Sequence, residues 1–167
     1  MKPTKNKVPL HLGVIVDGNR RFAKRLMLKP HKGHEWGARK FEKVFDWCNQ
    51  IGVKELTLYV FSIENFNRPK HEFNYLMDLF RKEFNEFKND SRLKFTRVNF
   101  IGRIWMFPKD IQKIMHELID KTKDNDKFIL NFAMGYGGRA EILDAVNKIA
   151  SEVKKGRSRR VLRPATG

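Results

Sequence analysis

Cysteine is nearly absent. The 167 residues contain one, Cys48, which excludes an internal disulfide and a cysteine-rich zinc site and favours a reducing compartment. Long hydrophobic runs are missing as well. The longest, over residues 8–16, is broken by His11 and falls far short of the roughly 20 residues a membrane span requires. No small-residue cleavage site follows it, as one would in a signal peptide. There is no internal repeat, low-complexity tract or Pro/Gly/Ser linker, so no domain boundary is expected inside residues 1–153. Acidic residues are scarce: 19 Asp and Glu stand against 35 Lys and Arg, a formal net charge of +16. These absences leave a soluble cytosolic domain with anionic partners: nucleic acid, an acidic membrane surface or phosphorylated substrates.

What is present argues for a packed fold. Hydrophobic residues make up 41%, fourteen of them Phe, and a chain of this size buries on the order of two-thirds of its unfolded surface, which excludes global disorder. The charge is uneven. Residues 154–167 carry two Lys, four Arg and no acid, without helical or strand period, and read as a basic arm outside the domain.

Apolar runs alternate with amphipathic stretches. Residues 10–16 read as a fully buried strand. Residues 38–50 place Phe41, Val44, Phe45 and Cys48 at helical spacing, with Gly52 as the stop. Strands are expected at 55–61, 96–101 and 127–132. A helix after Pro69 carries Phe73, Leu76, Phe80, Phe84 and Phe87 on one face. A further helix opens at Pro108, and a last one follows Gly137 and Gly138 with Ile142, Val146, Ile149 and Val153 as its stripe. The order predicts an α/β fold, a mostly parallel central sheet with helices on both faces, and ligands beyond the carboxyl ends of the strands.

Two strand exits are polar. The first reads Asp17-Gly18-Asn19-Arg20-Arg21-Phe22-Ala23-Lys24-Arg25. Amides near Gly18 and Asn19 could cradle a phosphate, Arg21 could grip it bidentately, and Asp17 could hold a magnesium ion against it. The same residues also read as an Asp-Gly turn leading into a solvated basic stretch. The second exit reads Ser62-Ile63-Glu64-Asn65-Phe66-Asn67-Arg68-Pro69, then Glu72, and parallel neighbours should deliver it to the same edge. Between the Asp17 loop and the first helix lies His34, which beside a diphosphate could donate to an oxygen or shuttle a proton. The glycine-rich turn Gly135-Tyr136-Gly137-Gly138-Arg139 matches neither G-x-G-x-x-G nor a P-loop, so nucleotide binding is unsupported. An aspartyl phosphatase of the haloacid dehalogenase type needs a second Asp at position 15, which is Ile15. No Ser-His-Asp or Cys-His arrangement is visible.

The stretches HLGVIVDGNRRFA and LTLYVFSIENFNRP resemble the first two signatures of the cis-prenyltransferases, the undecaprenyl and dehydrodolichyl diphosphate synthase family, and YGGRAEI resembles a third, all within residues 8–153. The resemblance implies a magnesium-dependent transferase. Such an enzyme condenses isopentenyl diphosphate with an allylic prenyl diphosphate, farnesyl or geranylgeranyl, and gives a cis-polyprenyl diphosphate for lipid carriers such as dolichol. It implies Asp17 as the carboxylate that contacts magnesium and diphosphate. Gly18, Asn19, Arg20 and Arg21 become the loop that holds the allylic diphosphate, and His34 a contact to the same group. Ser62, Ile63, Glu64, Asn65 and Arg68 fall near the isopentenyl unit, with Asn65 assisting proton removal. Phe22 and Phe66 stand where the family often has Trp. The Phe-rich helix would wall a tunnel for the growing chain or simply be core.

Several positions depart from the family pattern. An Arg common four residues before the His falls at Pro30, leaving Lys29 or Lys32 as point charges, and Gly135 stands where Asn is frequent. The segment of the form R-x-S-G-E-x-R-x-S that binds isopentenyl diphosphate in the family, a later Glu of its magnesium site, and its last two strands with the dimer interface have no counterpart in this sequence. The expectation is therefore a C-terminally truncated, impaired enzyme: a family domain over residues 1–153 and a non-matching tail over residues 154–167. It would be cytoplasmic and peripheral to a membrane, with the family's homodimer interface missing. The competing readings are a complementing subunit of a heteromeric prenyltransferase and a basic nucleic-acid-binding domain; on the favoured reading no nucleic acid is bound.

Overall fold

The apolar runs become the strands of one parallel sheet. In the computed structural model, which describes residues 8–156, the chain runs through β1 (His11–Ile15), α1 (Asn19–Arg25), α2 (Pro30–Ile51), β2 (Glu55–Ser62), a 3-10 turn (Ile63–Asn67), α3 (Lys70–Phe87), β3 (Thr96–Ile101), α4 (Lys109–Thr122), β4 (Phe128–Tyr136) and α5 (Gly138–Lys154). The sheet order is β1-β2-β4-β3, every pair parallel, in line with the expected α/β class.

Register explains the core. Leu12, Leu56, Leu130 and Val98 form one rung across the sheet, and Val14, Leu58, Phe132 and Phe100 the next. With a side-chain period of two, both rungs face the same side. Helices α2 and α3 cover that side: Phe41 and Phe84 meet Phe132 with ring centroids 5.7 and 5.6 Å apart, and Phe45 meets Phe128 at 4.8 Å. Helix α4 lies beside α3 and against the outer edge of β3, where Thr122 Oγ1 accepts the Val98 N–H at 3.0 Å.

Five expectations change. Strand β1 is not fully buried; among the described residues it pairs only with β2, and Ile15 is 72% exposed. The basic stretch after Asp17 is a short helix, started by Gly18 at φ 91°, not a loop. Helix α2 begins eight residues before position 38, so His34 lies inside it. Strand β4 continues to Tyr136 because Ser62 pairs with it there. Helical cover is unequal: α5 has its apolar stripe in place but buries none of its residues. Of the arm expected from residue 154, Lys154 closes α5 and residues 157–167 lie outside the described residues. No helix among the described residues is long and apolar enough to cross a membrane.

Candidate functional site

Strands β1 and β2 end side by side, and the helices that follow start there. Their polar exits open onto one cavity of ≈ 600 Å³ lined at its mouth by Asp17, Gly18, Asn19, Arg20, Arg21, His34 and Arg68. Below the mouth the lining turns to hydrocarbon: Ala38 and Phe41 from α2, Leu58 and Val60 from β2, Leu76, Phe80 and Phe84 from α3. The lining residues of α3 recur every three or four positions, which is the helical period. Between Leu76 and Phe87 the wall runs about 16 Å at 1.5 Å per residue. Phe80, Phe84 and Phe87 are thus both core and cavity wall, whereas Phe73 packs on the core alone. The far end is polar again, with Glu42, Glu83, Asp90 and Arg92. Burial, with Glu86 beside it, pushes the Glu83 carboxyl above the usual carboxylate range.

Asp17 projects from the end of β1 with its side chain three-quarters exposed. One oxygen accepts the Gly18 N–H, and the other accepts Arg21 Nη2 at 3.0 Å. Among the described residues no three His, Cys, Asp or Glu side chains converge to hold a metal ion. An exposed carboxylate among cationic side chains fits magnesium, which keeps waters and shares phosphate oxygens with one or two carboxylates, but not a cation that needs an all-protein cage.

Glu72, in the first turn of α3 and outside the cavity lining, ties the cationic residues of the mouth together. Arg68 Nη1 donates to its Oε1, Arg20 Nη1 lies 3.6 Å from its Oε2, and His34 Nε2 lies 3.8 Å from Oε1, beyond hydrogen-bond range. That nitrogen is buried without a hydrogen-bond partner among the described residues. Burial, then the Arg68 charge, holds the His34 ring below its ordinary value of 6.5, although Glu72 pulls the other way. A neutral imidazole and two guanidiniums gathered around one carboxylate, with Arg21 held on Asp17 beside them, leave cationic capacity for a second anion.

The second exit divides. Arg68 reaches the cavity, whereas Ser62, Ile63, Glu64, Asn65 and Phe66 are not in its lining. Ser62 and Asn65 close a reciprocal cap in which the Ser62 side chain accepts the Asn65 N–H and Asn65 Oδ1 accepts the Ser62 N–H at 3.2 Å. Phe66 packs on Phe61 and Phe107, each with ring centroids 5.0 Å away. Ile63 lies under Gly137, and Glu64 is exposed. Phe22 points out of the cavity onto Trp36, ring centroids 5.6 Å apart. Gly135 sits at φ 60°, the left-handed region that Gly and Asn share, which accounts for either residue at that position.

Two residues beyond the sequence-derived set, Gly33 and Gly37, shape the site beside Glu72. Glu72 was legible as the i+4 partner of Arg68. Gly33 and Gly37 face Asn19 so closely that a Cβ at either would stand 2.0 or 2.8 Å from its oxygens; their one-turn spacing on a helix was the available signal.

A parallel sheet of this arrangement occurs in known proteins. The chain is 42% identical over 158 residues to the tritrans,polycis-undecaprenyl-diphosphate synthase (geranylgeranyl-diphosphate specific) of Methanopyrus kandleri, covering 93% of this chain and 58% of that one. To the enzyme of the same name from Methanocaldococcus jannaschii it is 44% identical over 154 residues, covering 91% and 55%. It spans less than two-thirds of the length of these relatives. Its fold superposes on lavandulyl diphosphate synthase from Lavandula x intermedia, solved with dimethylallyl diphosphate, with a TM-score of 0.81 and 28% identity over 93% of this chain and 65% of that one. The prenyltransferase family model described as "Putative undecaprenyl diphosphate synthase" matches residues 15–164, nearly the whole length, and on that match this chain belongs to the undecaprenyl diphosphate synthase family.

Proposed function

We propose that this chain binds an allylic prenyl diphosphate, geranylgeranyl diphosphate being the primer indicated by the names of its archaeal relatives, and serves cis-prenyl chain elongation with isopentenyl diphosphate. The observation that carries this reading is the junction at residues 16–38: a cationic mouth that opens directly onto a hydrocarbon-lined cavity. Arg20, Arg21 and Arg68 would take the diphosphate, with bidentate geometry available to each guanidinium. His34 Nε2, buried and without a hydrogen-bond partner among the described residues, would donate to a phosphate oxygen in the tautomer that carries its proton there. Asp17 would hold magnesium, which supplies charge neutralisation for the departing diphosphate. The aromatic and aliphatic wall keeps water from the prenyl tail and from the allylic cation left when the diphosphate departs. Asn65, at the head of the turn after β2, is the residue the resemblance assigns to proton removal from the isopentenyl unit.

Calorimetric titration tests the binding half. Geranylgeranyl diphosphate with magnesium should bind well, geranylgeraniol weakly, and dimethylallyl diphosphate in between. Ala38→Trp, which fills the cavity below the mouth, should lower geranylgeranyl diphosphate affinity by roughly tenfold or more, given about 0.8 kcal/mol per buried methylene, and leave dimethylallyl diphosphate nearly unchanged. Equal loss for both ligands would remove the tail from this cavity. Incorporation of labelled isopentenyl diphosphate tests the second half. Magnesium-dependent incorporation primed by geranylgeranyl diphosphate is the expected result, and allylic binding without incorporation would confine the reading to its binding half.

A further inference from the structure

Leu26, Met27 and Leu28, three apolar residues in succession, are exposed at the turn between α1 and α2. Met27 is 96% exposed and sits at φ 54°, the one non-glycine positive φ among the described residues. The turn is held by its backbone: the Met27 N–H donates to Lys24 O at 3.1 Å and the Leu28 N–H to Ala23 O at 2.9 Å. The side chains are therefore presented at a fixed tip. Phe22 and Trp36, both exposed and in ring contact, continue the apolar surface from the tip along α1 and α2.

The surroundings are basic. Residues 18–34 hold six Lys and Arg and no acid. Arg20, Arg21 and Lys32 face Glu72, Asp17 and Glu35, whereas Lys24, Arg25 and Lys29 have no ion pair among the described residues. Those three cations bracket the apolar tip in sequence, Lys24-Arg25-Leu26-Met27-Leu28-Lys29.

We propose that this tip docks on an anionic lipid bilayer, with Leu26, Met27 and Leu28 entering the headgroup boundary and Lys24, Arg25 and Lys29 meeting lipid phosphates. Apolar groups rimmed by cations are what an interfacial lipid surface rewards, through buried area and attraction to anionic headgroups together. A nucleic acid would use the cations but gives three aliphatic side chains nothing to enter, since single strands stack on flat rings and duplexes present phosphates. The same helix, α1, carries Arg20 and Arg21 into the cavity lining, so docking at the tip brings the cavity within one seven-residue helix of the lipid. The proposal stands on the α1–α2 turn and does not depend on turnover at the cavity.

Co-sedimentation of the full chain with vesicles tests it. Binding is expected to equimolar phosphatidylcholine and phosphatidylglycerol and not to phosphatidylcholine alone. The triple variant Leu26→Ser, Met27→Ser, Leu28→Ser keeps every charge, including those of the basic tail, and should lower partitioning at least roughly tenfold. Met27→Gly suits the φ of the turn, so it guards against a folding defect, and should lower partitioning roughly fivefold. Lys24→Gln and Arg25→Gln should each lower binding to the anionic vesicles about fivefold. With Cys48 buried, a solvatochromic dye on Met27→Cys should shift to the blue with anionic vesicles and not with duplex RNA. Unchanged vesicle binding by both the serine and glycine variants would overturn the proposal, as would vesicle binding that falls only with the charge variants. A dye that responds to RNA and not to vesicles would do the same and assign the surface to a polyanion.

Discussion

Gly33 lies directly against the carbonyl of Asn19: a Cβ at position 33 would stand 2.0 Å from that oxygen, a distance no real Cβ contact shows. The neighbour is backbone and cannot rotate away. Gly33→Ala must therefore push α1 off α2, an overpacking that costs about 1–3 kcal/mol or more, and Arg20 and Arg21 travel with α1. Urea denaturation should show the loss, and pyrophosphate affinity should fall with it. Gly13→Ala is the control. Position 13 lies in strand β1 with nothing within 4 Å of its built Cβ, so that variant should be neutral or more stable by roughly 0.5–1 kcal/mol.

Glu72 compensates Arg20 and Arg68 while the mouth holds no phosphate. Its side chain is only 15% exposed, so Glu72→Gln leaves a cluster of cations without its anion and should cost roughly 2–4 kcal/mol in the ligand-free protein. Pyrophosphate supplies the missing charge. Thermal unfolding with and without pyrophosphate should show a larger ligand-induced rise in Tm for Glu72→Gln than for the wild type, since stabilisation grows with affinity for the folded state. An equal rise would mean that the diphosphate does not meet these guanidiniums.

The sequence made the strands and the site edge legible because both depend on local residue type. Thr96–Ile101 falls where alternation put a strand, and the polar exits at Asp17 and Arg68 share one cavity. What escaped depends on partners far along the chain. Strand β1 has the composition of a buried strand, but composition does not say that only one neighbour among the described residues pairs with it. The residues of α1 read as loop because they are charged, and their helix rests on the Gly33–Asn19 approach across a turn. Asn65 carried a family role in sequence, yet its amide oxygen closes a local cap, a use that motif matching does not reveal.

His34 gives the site a pH signature. Burial and the Arg68 charge hold its pKa below 6.5 in the fold, while the unfolded chain protonates near that value. The fold therefore keeps this contribution above pH 6.5 and loses it as pH falls from 6.5 through the lower folded value, because the unfolded state binds the proton first. Over that window the Tm of the wild type should decline more steeply than that of His34→Gln. Adding pyrophosphate should raise the titration point of the His34 ring seen by NMR, since Nε2 then gains an anionic acceptor. A ring that titrates unchanged in saturating pyrophosphate would place the ligand away from Nε2.

Helix α5 is held by polar tethers in its first two turns. Arg103 Nη2 meets Asp144 Oδ1 at 2.8 Å, and the Tyr136 hydroxyl donates to Glu141 Oε2 at 2.6 Å. Its apolar residues Ile142, Leu143, Val146, Ile149 and Val153 are 44–66% exposed. Removing apolar groups that stay in water costs little, so Val146→Lys with Ile149→Lys should change unfolding free energy by no more than about 0.5 kcal/mol per site. Leu118→Lys in α4, at a fully buried position, should abolish folding. A contiguous exposed stripe also favours self-association, and light scattering should show the double lysine variant less associated than the wild type at equal concentration. A loss of stability above about 1 kcal/mol per site would mean that the stripe is covered in solution, and that the tethers at Asp144 and Glu141 are not what holds α5.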